Sequence, residues 1–423
     1  MNVTIVPTSA LSGEVRAPAS KALTHRALFG GLLSNGTTII HNPLSCDDTE
    51  ATAAAVASLG AKLERGQESW RVWSNGRLSA PQGMIECGQS GVTLRFTIPI
   101  SSLVGKDVWL NGSETLMRRP IQPLIESMKQ LGAEISFRGT AVRVKAGPAK
   151  GGSVQLPGNV SSQFISGLLL AGPLMEEGLR VRLISTLESR GYVSMTIETM
   201  KRHGVSVEIN DDMSFYQVMP GQIYKPTEHT IPGDYSSAAF PMAAAAVTRS
   251  KILILGLPRD GADPDSAFLE VLGRMGVTTR FTSDALHVEG RALKAVNADI
   301  TNCPDLGPVI AVLGCYAEGE TRITGAGRLR YKESDRLSVI RSELRVLGAE
   351  IGEIGSGLLL SGPASLHGGT VNSHGDHRIA MALSIAALNA SGPVLIRNAE
   401  CVNKSYPTYF DDIRALGVDV IER

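Results

Sequence analysis

Few of the signatures that place a protein in a specialised class occur in this chain. Cysteine is scarce: Cys46, Cys87, Cys303, Cys315 and Cys401 are odd in number, scattered and never spaced as C-x-x-C. That pattern argues against a disulfide framework or structural zinc and fits a reduced compartment. No stretch reaches the roughly 18 apolar residues of a membrane span. Met1-Asn2-Val3-Thr4-Ile5-Val6-Pro7 has neither a basic nor an apolar leader region, so a soluble, unexported, cytoplasmic protein is expected. Net charge is missing too. Lysine plus arginine equals aspartate plus glutamate at 41 each, so nothing global recruits nucleic acid or an anionic membrane, and any basic site is local.

Apolar residues are plentiful. With 423 residues, 43% apolar and 19% charged, the chain exceeds one ordinary core and is too apolar for disorder, which points to two or more domains.

The strongest organisational signal is a repeated helix ending: SLGAKL, QLGAEI, RHGVSV, RMGVTT, VLGAEI and ALGVDV. The glycines are Gly60, Gly132, Gly204, Gly276, Gly348 and Gly417, separated by 72, 72, 72, 72 and 69 residues. Glycine just past a helix takes positive φ without steric cost, so each marks a C-terminal cap before a strand. Alternation in 133–137 and 141–144, around Arg138-Gly139-Thr140, reads as a hairpin. A further helix with a small-residue apolar face begins near Ser20, Ser90, Ser161, Asp234, Asp305 and Asp376. The sixth unit runs out at Arg423 without a hairpin partner, and residues 3 to 16 are expected to complete it. Six units divided three and three predict two similar α/β domains: 20–228, continuous, and 1–19 with 229–423, closed by both termini. The crossings are expected near residues 18 to 20 and 226 to 230.

Cations gather where helices begin. A helix N-terminus is partly positive and disfavours cations by default. Yet Lys21 and Arg26 open SKALTHRALFGG, Arg95 sits in GQSGVTLRF, and Arg119 precedes Pro120, read as a first-turn proline. Arg336 follows in YKESDRL, and Arg378 opens GDHRIAMAL. One such residue reads as a solvated surface cation; the set reads as a polyanion site beside unpaired backbone N–H groups. Ser161-Ser162-Gln163 is a capping sequence or, beside these cations, a set of phosphate ligands. Gly91 is a turn glycine or a place where a small anion approaches the backbone.

Ten segments in order, APASKALTHRAL, CGQSGVTLRF, MRRPIQPL, GNVSSQF, ESRGYV, IPGDYSSAAF, CPDLGPVIAV, YKESDRL, GDHRIAMAL and NKSYPTYF, resemble the 5-enolpyruvylshikimate-3-phosphate synthase (3-phosphoshikimate 1-carboxyvinyltransferase) family of enolpyruvyl transferases. The resemblance implies an inside-out α/β barrel architecture: two domains of three strand-and-helix units, helices buried and sheets outside, closing over substrate. It implies transfer of the enolpyruvyl group of phosphoenolpyruvate to the 5-hydroxyl of shikimate 3-phosphate, with phosphate released, on the route to chorismate and aromatic amino acids. No cofactor, metal, nucleic acid or membrane partner is implied, and a monomer is expected. Shikimate 3-phosphate would be held by Lys21, Arg26, Ser161, Ser162, Gln163, Ser189, Tyr192, Asp305 and Lys332. Phosphoenolpyruvate would be held by Lys21, Gly91, Arg119, Gln163, Arg336, Arg378 and Lys404. Asp305 resembles the base for the attacking hydroxyl, Glu333 the acid for the methylene carbon, and Lys21 a stabiliser of the departing phosphate. Asp305 also sits where an N-cap belongs, Glu333 beside Lys332 and Arg336 also reads as an ion pair, and His377 reads as packed or capping. Repulsion among the cations is expected to hold the empty cleft open until two anionic substrates neutralise it.

Two other functions fit parts of the pattern. A UDP-N-acetylglucosamine enolpyruvyl transferase usually carries Lys-Asn at the first motif and a loop cysteine; here Ala22 follows Lys21, and the cysteines lie elsewhere. A non-catalytic anion- or RNA-binding repeat protein would want an aromatic-rich basic strand beside the cations, and none accompanies them. Within the resemblance, Ala22 replaces a serine that touches the shikimate carboxylate, Val92 a threonine and Gln89 an asparagine, while Arg328 stands where many bacterial relatives have asparagine. Ala22→Ser is expected to lower KM for shikimate 3-phosphate; an unchanged KM in steady-state assays counts against a missing contact.

Overall fold

The structure, a computed structural model, describes residues 1–147, 149–283 and 285–422. Arg423, the expected last residue of one domain, lies outside them. Among the described residues the strands form six four-stranded sheets of one design. Gly152–Leu156, for example, runs parallel to Leu179–Leu183, which pairs antiparallel with Phe215–Val218, with Glu208–Ile209 at the far edge. The parallel step needs a crossover, and the helix Ser162–Ala171 supplies it. Ile135–Arg138 and Ala141–Val144 form the hairpin that the alternation suggests, with Arg138 opposite Ala141 and Gly139 at φ +60° in a two-residue turn.

All six spaced glycines carry positive φ, between +80° and +114°. Each lets the chain turn from a peripheral helix toward its sheet.

The chain divides into two compact units, Ala19–Ile231 and Met1–Pro18 together with the chain from Pro232 onward. Val3–Val6 fills the sixth sheet, between Val394–Arg397 and Asp419–Glu422. Glu14–Arg16, expected there as well, instead pairs with Lys251–Leu255 of the fourth sheet. In exchange, Glu228–Thr230 pairs with Asn35–His41 of the first. The swap follows from where the chain crosses. Both crossings fall between a parallel strand and its crossover helix, so each strand stays in one unit while its helix enters the other.

Each unit has its own apolar core. In Ala19–Ile231 three helices are enclosed over most of their length: Lys21–Leu33, Gly91–Ser101 and Ser162–Ala171. Tyr235–Val247, Gly307–Tyr316 and His377–Ala387 correspond in the other unit. Away from their N-terminal turns and the buried arginines, these helices are mostly apolar or small, as enclosed helices tend to be. The second helix of each repeat, such as Arg190–Arg202, buries one face only. The sheets flank the helices without hydrogen-bonding to one another, so the barrel of the expectation is not a closed one. No described helix is long and apolar enough to cross a membrane.

Close packing of the enclosed helices depends on small residues. A Cβ on Gly167 would stand 2.5 Å from the Arg95 carbonyl oxygen of the neighbouring helix. Gly167→Ala is therefore expected to destabilise the protein by about 1–3 kcal/mol through overpacking. Urea unfolding checks this, and a neutral or stabilising result contradicts the packing.

Candidate active site

In Ala19–Ile231 the three enclosed helices begin at serine caps. Ser20, Ser90 and Ser161 accept from the backbone N–H groups of Leu23, Thr93 and Gln163 at 3.4, 3.3 and 3.3 Å. Neutral caps leave the partial positive charge of the helix ends uncancelled. Lys21, first residue of its helix, donates to Asp48 Oδ2 at 2.8 Å. The Gly91 position is ringed by polar atoms: a Cβ there would lie 3.1 Å from Arg95 Nη1 and 3.3 Å from both Arg119 Nη1 and Gln163 Oε1. Arg95 ties this corner together, donating to Gln163 Oε1 at 2.6 Å and to the Pro120 carbonyl at 3.0 Å. Pro120 does not open a helix, as the sequence suggested. Arg119-Pro120 links Glu114–Met117 to Gln122–Gln130, and the first-turn proline is Pro123. A hydroxyl relay behind these residues runs from His25 Nδ1 through Thr52 and Thr93 to Ser90, in steps of 2.7, 2.6 and 2.7 Å. Burial holds His25 down to about 3, so it is neutral near neutral pH.

Arg26 is knitted inward. It is 2% exposed, and its Nε, Nη1 and Nη2 donate to Thr196 Oγ1, the Ala22 carbonyl and the Tyr192 carbonyl at 2.8, 2.7 and 2.7 Å. Burial pulls its guanidinium down to about 10. Ser189 precedes the helix that carries Tyr192 and holds φ +57°, a left-handed conformation uncommon for a residue with a side chain. Ser162, mostly buried, and half-exposed Ser161 and Gln163 begin the third enclosed helix.

The other unit gathers its expected residues into one ionic network. Arg336, 1% exposed, donates through Nε to Asp376 Oδ2 at 2.8 Å, through Nη1 to Asp305 Oδ1 at 2.8 Å and through Nη2 to Glu333 Oε2 at 2.7 Å. Lys332 reaches Asp305 Oδ1 at 3.1 Å, Arg378 Nη2 lies 3.7 Å from Asp305 Oδ2, and Lys404 Nζ lies 3.2 Å from Glu333 Oε1. Asp376, fully enclosed, caps its helix by accepting from the Arg378 N–H at 3.0 Å. Burial works against charge on Asp305, but Lys332, Arg378 and Arg336 outweigh it and hold the carboxyl well below the usual carboxylate range. Burial lowers Lys332, with Asp305 opposing. Asp305 is not an N-cap. It lies in the tight turn Pro304–Leu306, and the α-helix begins at Gly307.

Four cations, Lys332, Arg336, Arg378 and Lys404, thus face the carboxylates of Asp305, Glu333 and Asp376. The expected repulsion among cations does not describe this unit, where each cation is within ion-pair reach of a carboxylate. Sequence reasoning missed Asp376 and Asp48 as partners, and it read Arg95 as one of the anion-site cations without foreseeing its hydrogen bonds to Gln163 and Pro120. Asp376 and Asp48 read as ordinary helix-start acids until a distant cation is seen against them. Among the described residues no group of three or more His, Cys, Asp or Glu side chains is arranged to hold a metal ion.

A family model described as EPSP synthase (3-phosphoshikimate 1-carboxyvinyltransferase) matches residues 5–413. A relative named 3-phosphoshikimate 1-carboxyvinyltransferase from Methanocorpusculum labreanum is 41% identical over 424 residues, spanning 99% of both chains. One of the same name from Methanocaldococcus jannaschii is 37% identical, over 98% of this chain and 97% of that one. Among solved structures, an EPSP synthase from Acinetobacter baumannii superposes with a TM-score of 0.82 at 28% identity over the whole of both chains.

Removing one anion from around a buried guanidinium leaves charge without compensation. Asp376→Ala is expected to cost about 3–5 kcal/mol in stability by urea unfolding. A loss below about 1 kcal/mol would show that Asp305 and Glu333 suffice for Arg336.

Proposed function

From the premise that this chain belongs to the EPSP synthase (3-phosphoshikimate 1-carboxyvinyltransferase) family, we propose how its residues divide the reaction. The protein is a transferase of aromatic amino acid biosynthesis, moving the enolpyruvyl group of phosphoenolpyruvate onto the 5-hydroxyl of shikimate 3-phosphate and releasing phosphate. The alternatives, a UDP-sugar acceptor or a non-catalytic anion binder, are not favoured by these relatives. The same reading makes it a cytoplasmic monomer that acts on small molecules and has no nucleic-acid partner.

The chemistry is addition followed by elimination. The 5-hydroxyl loses its proton as its oxygen bonds to the carbon bearing phosphate, and a second proton reaches the methylene carbon. That carbon then returns a proton as the bond to the phosphate oxygen breaks. Asp305 takes the hydroxyl proton, Glu333 serves the methylene carbon, and Lys21 meets charge on the leaving phosphate. Gly91, Arg119, Gln163, Arg336, Arg378 and Lys404, with Lys21, bind phosphoenolpyruvate. Arg26, Ser161, Ser162, Gln163, Ser189, Tyr192 and Lys332, with Lys21 and Asp305, bind shikimate 3-phosphate. Arg26 also holds the Tyr192 carbonyl.

The observation that carries these roles is the network around Arg336. The nominated base and acid are ion-paired to the cations nominated for the anionic substrates, so substrate binding and proton transfer engage the same groups. Phosphate is expected to appear only when phosphoenolpyruvate and shikimate 3-phosphate are both present, and UDP-N-acetylglucosamine is expected not to substitute. Glu333→Gln and Asp305→Asn should each lower kcat by roughly 10²–10⁴-fold. Turnover with the UDP-sugar would overturn the substrate assignment, and variants within tenfold of the parent would remove the two carboxylates from the chemistry.

A further inference from the structure

We infer that Asp265, acting through Ser236, is a positioning residue for Arg378 in phosphoenolpyruvate binding, a role that rests on the reading of Arg378 given above. The geometry is a short chain within one unit. Arg378 Nη1 donates to the Ser236 carbonyl at 2.5 Å, and its guanidinium carbon stands 5.9 Å from the centre of the Phe240 ring on the same helix. The Ser236 hydroxyl donates to Asp265 Oδ2. Asp265 is fully enclosed in the turn Pro264–Ala267, whose backbone is pinned by Asp263 Oδ1 accepting from the Asp265 N–H at 2.9 Å.

An enclosed carboxylate carries a large desolvation penalty, so one kept beside a substrate-binding arginine has to be answered by nearby charge. Around Asp265 stand Asp263 of its own turn, Asp234 at the cap of the Tyr235–Val247 helix, Cys303, Asp305 and Arg378. Arg378 is the cation of this group. Burial, then Asp305, pushes the Asp265 carboxyl up to about 6, against the Ser236 hydrogen bond and Arg378. Above that value Asp265 is ionised and attracts the guanidinium from behind, toward Ser236. Below it the charge is lost, and Arg378 is left to the pull of Asp305, 3.7 Å from its Nη2.

The test is Asp265→Asn, which keeps shape and a hydrogen-bond acceptor while removing the charge. Phosphate release by the full chain is measured at varied concentrations of each substrate, from about pH 5 to 8. KM for phosphoenolpyruvate should rise about fivefold or more near pH 7.5, while KM for shikimate 3-phosphate stays within about twofold. The ratio of parent to variant kcat/KM for phosphoenolpyruvate should shrink toward one as pH falls through about 6. Taking the ratio cancels the titration of the substrate's own phosphate, which also lies near 6. Ser236→Ala should raise KM for phosphoenolpyruvate alone, and the double variant should be no worse than Asp265→Asn. Equal rises in both KM values, or a ratio flat with pH, would reduce Asp265 to a structural role and overturn the inference. If Asp265→Asn does not fold, Ser236→Ala decides, and the absence of a split between the two KM values rejects it. Failure of the parent protein to release phosphate from the two substrates would instead overturn the functional reading.

Discussion

Burial of the Arg336 guanidinium is the constraint on which the ionic half of the site depends. A guanidinium stays charged at any ordinary pH, and at 1% exposure it must be answered by anions inside the protein. Asp376, Asp305 and Glu333 answer it, one from each of three chain segments. Asp376 is also the cap of its helix, accepting from the Arg378 N–H, so one carboxylate serves both the helix end and the guanidinium. Once Arg336 is fixed, Asp305 and Glu333 are fixed with it, and Lys332, Arg378 and Lys404 gather around them. With Asp265 behind Arg378, four carboxylates stand against these four cations. An arriving anion therefore competes with carboxylates for these cations rather than filling an empty positive hole.

The two units solve the same structural problem with opposite electrostatics. The caps of the enclosed helices are Ser20, Ser90 and Ser161 in one unit; in the other, Asp234 and Asp376 cap two of the matching helices and Asp305 lies in the turn that precedes the third. Neutral caps keep the helix ends attractive to anions and place hydroxyls and backbone N–H groups beside Lys21 and Gly91. Acidic starts reverse that preference and require arginine and lysine to balance them. A repeat whose fold is the same six times thus supplies a neutral hydrogen-bonding surface in one half and a titratable ionic one in the other. Proton transfer needs the second kind, because serine caps neither take nor give a proton near neutral pH.

Much of this was legible in the sequence because it is local. Positive φ at Gly60 and its five counterparts, the hairpin around Gly139-Thr140 and the caps at Ser20, Ser90 and Asp376 each depend on a few adjacent residues. What was misread depends on distant ones. Glu14–Arg16 and Glu228–Thr230 have similar extended patterns, and only the crossing points decide which sheet each enters. Asp305 looks like a cap, but it lies inside a tight turn that precedes the α-helix, closed by the Leu306 N–H on the Cys303 carbonyl at 3.1 Å. Arg119-Pro120 likewise reads as a helix start until Pro123 is seen to fill that place. The pairing of Arg336 with Asp376 spans 40 residues, and no local pattern announces it.

The state of Asp305 bears on how the proposed reaction begins. A general base works best when its proton affinity lies near the working pH, and three cations hold Asp305 well below even the ordinary carboxylate range. Taken alone, that makes it a poor base. In the proposed complex, however, Lys332 and Arg378 share their hydrogen bonds with phosphate and carboxylate groups of the substrates, and each added negative charge raises the affinity of a neighbouring carboxylate for a proton. Lys332 and Arg378 are the largest charged contributions lowering Asp305. The substrates that need a base would thus raise the basicity of the one they meet. Without them Asp305 stays ionised and ion-paired, which keeps Arg336 and its network intact.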